Sequence, residues 1–98
     1  MAGRVKLSWT EGARDELRDL YTKIAHHDKP AAKRLVSKLR KLAKGIQDYP
    51  EIGRMVPEYE VPNVRERIYG NYRLIYQLSH RGAEVIAIWH CAELHEGE

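Results

Sequence analysis

The chain has 98 residues, enough for one domain with one modest core and little else. Hydrophobic residues make up 43% and charged residues 32%, which excludes a disordered segment and leaves a compact, water-soluble fold as the expectation. A net charge of +3 does not by itself mark a nucleic-acid binder, so the placement of the charges matters more than their sum.

Cys91 is the only cysteine, so no internal disulfide forms and a reducing compartment is expected. The opening residues show no signal-peptide pattern, and no uncharged stretch is long enough to span a bilayer. A soluble, cytoplasmic protein with residues 1–98 as one domain follows as the expectation.

In chain order, RVKLSW alternates Val5, Leu7 and Trp9 with Arg4, Lys6 and Ser8, the period of a half-buried strand. Thr10 then offers a helix N-cap, with Glu11 supplying negative charge in the first turn. Ala13, Leu17, Leu20, Tyr21, Ile24 and Ala25 recur at helical spacing, which predicts an amphipathic helix to about His26. Pro30 suits the start of a second helix, where its missing N–H costs nothing. The stripe from Ala32 to Ile46 carries that helix on, and Tyr49-Pro50 ends it. A helical hairpin is the expected result.

Residues 50–63 hold three prolines and a glycine and are expected to form an irregular loop. VRERIY and YRLIYQLS then form two strands around Gly70-Asn71, a glycine-first pair that predicts a type II′ turn. A second turn at residues 80–82 leads into EVIAIWHC, a third strand. The order β–αα–βββ predicts a two-layer α+β fold, with the helical hairpin packed on a small, mainly antiparallel sheet.

Three groups of residues are candidates for function. Between residues 29 and 47 lie seven basic side chains and no acid, Lys33, Lys38 and Lys41 among them. Such a run is either a solvated face or a contact surface for an acidic partner. The hairpin is charged where a core is expected: its turn puts Arg65 and Arg67 on one face with Tyr69, Tyr72, Leu74 and Tyr76. Glu66 and Arg73 share the other face with Ile68 and Ile75. Leu74, Tyr76 and Leu78 are the better core set, and Glu66 with Arg73 forms either a cross-strand ion pair of small worth or part of a charged functional surface. His90, at the end of the last strand, has an imidazole suited to acid–base work near neutral pH. His90, Cys91 and His95 match no established zinc spacing, and no metal or cofactor is expected.

IGRMVPE, VRERIYGNYRLIYQL and VIAIWH, in that order, resemble the RelE/ParE superfamily of toxins from type II toxin–antitoxin modules. LSWTEGARDELRDLYTKI resembles the family's first strand and helix, so the likeness covers nearly the whole chain. The most specific parts are Gly53-Arg54, Pro57-Glu58, Arg65-Glu66 and Gly70-Asn71-Tyr72-Arg73. The resemblance implies the β–αα–βββ fold and a cognate antitoxin as partner; the basic run on the second helix, with Lys33, Lys38 and Lys41, or the apolar groove beside it, is where that partner is expected to bind. It also implies one of two activities. A ParE-like toxin binds DNA gyrase; a RelE-like one cleaves mRNA on the ribosome. In the second case Glu58 matches a catalytic glutamate and Arg73 a phosphate-binding arginine, with Glu58 or His90 as the acid or base; Arg54, Arg65, Arg67 and Arg73 are the candidates to hold phosphate or a target.

The C-terminal stretch HCAELHEGE departs from the ribonuclease pattern. Alanine stands near the expected terminal acid–base residue, His90 comes two residues early, and Glu93, Glu96 and Glu98 repel phosphate. The pattern therefore favours the ParE-like branch, with a ribosome-dependent mRNA interferase as the alternative. A non-toxic binding domain that has kept the fold is a second alternative.

Overall fold

The computed structural model describes residues 4–91. Seven elements follow in order: β1 (Leu7–Trp9), α1 (Glu11–Ala25), α2 (Lys29–Asp48), β2 (Arg54–Met55), β3 (Val64–Tyr69), β4 (Tyr72–Ser79) and β5 (Gly82–His90). The strands form one sheet in the order β1-β5-β4-β3-β2; β1 runs parallel to β5, and every other pair is antiparallel. The expected β–αα–βββ order stands. No helix of the described residues is long and apolar enough to cross a membrane.

Local chemistry sets the boundaries. The Thr10 hydroxyl accepts the Ala13 N–H at 3.0 Å and opens α1. Asp28, a cap that the helical stripe alone does not reveal, accepts the Ala31 N–H at 3.1 Å and opens α2. The first strand is shorter than its alternation predicts. The Val5 N–H donates to the Gln47 carbonyl and the Gln47 amide donates back to the Val5 carbonyl, both at 3.0 Å. Arg4 and Val5 are therefore tied to the end of α2, while the Lys6 carbonyl already accepts the Ala83 N–H and the paired β1–β5 register runs from Leu7. Gly70 has φ +60 and Asn71 is not left-handed, as the predicted type II′ turn requires.

The two helices cover one face of the sheet. Ala13, Ala43 and Ile46 pack there on Leu74, Tyr76, Ala83 and Val85, with Trp9, Leu42, Leu78 and Ile88 around them. Val85 and Ile88 reach the same face, although three residues apart, because the β4–β5 register shifts between Ile75 and Tyr76. Ile86 is the extra residue of that bulge, which is why VIAIW shows no clean alternation.

The other face is covered by the loop. Val56 is fully buried on Val64 and Ile75, and its N–H donates to the Val64 carbonyl at 3.2 Å. Residues 50–63, expected to be loop throughout, thus contain the edge strand β2, paired Arg54 to Glu66 and Met55 to Arg65. Gly53 makes that approach possible: a Cβ there would stand 2.5 Å from the Glu66 carbonyl oxygen and 2.8 Å from the Tyr76 hydroxyl.

A buried arginine–glutamate network and a basic groove

Glu66 and Arg73 face the loop from neighbouring strands, and both are buried, at 1% and 7% exposure. Neither a surface ion pair of small worth nor an open charged surface describes them, because Val56 and its neighbours roof this half of the sheet. The Arg73 Nε donates to Glu66 Oε1 at 2.6 Å. Its two terminal nitrogens donate to the two oxygens of Glu58, at 3.1 and 2.9 Å, a fork-on-fork contact. The Arg54 Nε donates to the second oxygen of Glu66. The result is a chain of alternating charge, Arg54–Glu66–Arg73–Glu58, with solvent at both ends and little in the middle.

The surroundings finish the site. The Arg73 guanidinium lies 4.8 Å from the centre of the Trp89 ring, which in turn leans on Tyr59 at 6.2 Å. Arg73 Nη1 lies 4.0 Å from the Cys91 sulfur. Its hydrogen bonds hold the Glu58 carboxyl below the usual carboxylate range, and the Glu58 contact in turn raises the Arg73 pKa. Glu58 is therefore a carboxylate already committed to a partner.

The remaining arginines serve carbonyl groups. Arg65 donates to the carbonyl oxygens of Gly53 at 2.9 Å and Pro62 at 3.2 Å, holding both ends of the loop. Arg67 donates to the Leu42 carbonyl at 2.9 Å and ties β3 to α2. Tyr76 lies between them. Its hydroxyl donates to the Pro50 carbonyl at 2.7 Å and accepts the Gly53 N–H at 2.9 Å. Burial raises the pKa of that phenol.

The sequence candidates thus divide. Glu58, Arg73 and Arg54 come together through Glu66. Arg65 and Arg67 turn to the helix side of the sheet. His90 lies on the helix side too, stacked on Tyr72 at 4.5 Å and 13°. It lines a crevice of about 360 Å³ with Glu16, Lys23 and Ile88. Glu58 and His90, two acid–base candidates, therefore occupy opposite faces of the sheet. Trp89 and Tyr59 were not singled out; alternation along β5 puts Trp89 opposite His90 and beside Arg73, a signal that register supplies. His95, Glu93, Glu96 and Glu98 lie outside the described residues.

A second feature lies at the far edge of the sheet. Leu7 and Trp9 of β1, Tyr21 of α1 and Val36 of α2 line a groove of about 770 Å³, bordered by Lys33, Arg40, Lys41 and Lys44. Of the three lysines expected to meet a partner, Lys33 and Lys41 line this groove and Lys38 does not.

The chain matches the family model for the ParE toxin of the type II toxin–antitoxin system parDE over residues 7–95. A search of curated proteins finds no match. A chain of the chromosomal ParDE toxin–antitoxin system of P. aeruginosa has a similar fold, at TM-score 0.76 and 20% identity over 92% of this chain and 99% of that one. The RelBE2 toxin–antitoxin complex of Mycobacterium tuberculosis gives TM-score 0.68, again at 20% identity, over 94% and 97%. At that identity the two structures speak for the fold, while the family model spans most of the sequence. The chain belongs to the ParE toxin family of type II toxin–antitoxin systems.

Proposed function

We propose that this toxin inhibits growth in the cytoplasm by binding a protein target, DNA gyrase, and not by cleaving RNA. The observation that carries the reading is the state of its acid–base candidates. A general base has to be free to take a proton, and Glu58 is instead held ionised against Arg73. Arg73 has its N–H groups turned to Glu58 and Glu66, which competes with any grip on a scissile phosphate. His90 is across the sheet from both. A protein that acts by contact needs none of these groups to be free.

The groove between β1 and α2 supports an antitoxin as the second partner. Its apolar floor and four basic borders suit a segment that carries both apolar and acidic residues. Reversing Lys33, Lys38 and Lys41 to glutamate weakens the toxin–antitoxin complex and flattens its salt dependence, with Lys33 and Lys41 contributing most. Unchanged affinity at every salt concentration would leave α2 as a solvated face.

The target is tested with purified protein in two assays, gyrase supercoiling and mRNA integrity on translating ribosomes. The expected result is loss of supercoiling with mRNA intact. Cleavage of mRNA that Glu58→Ala or His90→Ala abolishes would install the interferase reading instead.

A further inference from the structure

Among the described residues, the exposed large apolar side chains all fall between residues 49 and 69. Tyr49, Ile52, Met55, Ile68 and Tyr69, at 40–68% exposure, gather at the β2–β3 edge of the sheet, the end away from the basic groove. β2 is only two residues long and pairs with Arg65 and Glu66 alone. Continuing its register places Ile52 beside Ile68, but the ladder stops at Arg54, so Arg67–Tyr69 have no strand on their outer side. An uncapped antiparallel edge flanked by apolar side chains is a template for another strand.

We propose that this edge is the contact between two copies of the chain, sheet edge to sheet edge about a two-fold axis. Charge selects the occupant. A second copy brings the same seven cations on α2, and those faces repel each other. The β2–β3 edge is the opposite case: residues 49–69 carry four glutamates and three arginines. Arg54 is neutralised by Glu66, while Arg65 and Arg67 point at backbone carbonyls. A nucleic acid finds no cation cluster here, and a second copy finds neither repulsion nor an unpaired buried charge. Antiparallel edge pairing is also self-complementary, as a two-fold contact must be.

An interface of ordinary size takes about 800 Å² from each partner, roughly an eighth of the 6564 Å² surface. A contact built on a short strand edge and five part-exposed apolar side chains makes a dimer that dissociates on dilution. The inference is independent of the target, since it concerns free toxin.

Sedimentation and light scattering on the full chain, from low micromolar to near-millimolar concentration, test it. The expected mass rises from 11.4 kDa towards twice that value. Ile68→Lys and Met55→Lys, both at exposed positions, keep the fold by circular dichroism and weaken association by at least ~tenfold. Lys38→Glu, on the other layer, does not weaken it. A mass that stays monomeric at every concentration overturns the proposal and leaves the edge to a different protein. Dimers that form equally well in both lysine variants overturn it too, by placing the contact elsewhere.

Discussion

The two faces of the sheet are built on different chemistry. On the helix side, Leu74, Tyr76, Ala83 and Val85 pack against Ala13, Ala43 and Ile46, and the one deeply buried polar atom of Tyr76 is satisfied twice. On the loop side, a smaller apolar group, Val56, Val64 and Ile75, shares its space with a buried glutamate and a buried arginine. The first face is stable because apolar area leaves water, at about 25 cal/mol per Å². The second is held by desolvated charges whose attraction is set against the cost of burying them. Here those charges fix the path of the loop, since Glu58 on the loop and Glu66 on the sheet both hold Arg73.

That contrast is broken most forcefully at Glu66. Glu66→Ala strands Arg73 and is expected to cost ~3–5 kcal/mol in urea denaturation, as much as Leu74→Ala, for which ~2–5 kcal/mol is expected from the cavity it leaves. The two are separated by a rescue. Glu66→Met with Arg73→Met removes the whole buried pair and recovers most of the loss, whereas no polar change rescues Leu74→Ala. A double variant as unstable as Glu66→Ala alone would mean that the pair stabilises on its own account.

Tyr76→Phe comes next, at about 1–3 kcal/mol, because it leaves the Pro50 carbonyl and the Gly53 N–H without their partner. Its effect on stability is flat with pH across the acid range. A loss below ~0.5 kcal/mol would mean that water replaces the hydroxyl.

Glu58→Gln gives the smallest change, about 1 kcal/mol or less at neutral pH, since half of that side chain is in solvent. Its diagnostic is the pH profile. The folded-state pKa of Glu58 is depressed, so its stabilisation is complete above the ordinary value of 4.5 and is lost as pH falls through the lower folded value. Wild type and Glu58→Gln therefore converge in acid. Parallel curves down to low pH would detach Glu58 from the network.

Much of this was legible in the sequence, and the parts that were not share a cause. Thr10, the stripe of α1 and the Gly70 turn are local features, and local chemistry announces them. The Arg73–Glu66 pairing followed from the turn, because a two-residue loop fixes the register of both strands. Burial of that pair was not legible: it depends on where residues 50–63 lie, and three prolines say where hydrogen bonds stop, not what the loop covers. Trp89 has a related cause, since the extra residue Ile86 shifts the register counted from the turn at residues 80–82 and brings Trp89, not Ile88, beside Arg73. The resemblance located Glu58 and Arg73 as a pair of interest, but only coordinates put one carboxylate on both guanidinium nitrogens.

Besides the β2 ladder and the Arg65 bonds at its ends, the loop over the second face has two side-chain fastenings of different kinds. One is the neutral Tyr76 hydroxyl, which clasps Pro50 and Gly53 where the loop leaves α2. The other is Glu58 on Arg73, midway along. The segment therefore works as a flap with a hinge at its root and a catch near its middle. Acid releases the catch and leaves the hinge shut. In hydrogen exchange the amides of Tyr59 and Glu60, bonded only to the Val56 carbonyl, open first, while the Gly53 amide opens with the sheet. Any ligand that takes the Arg73 fork has to displace the Glu58 carboxylate first.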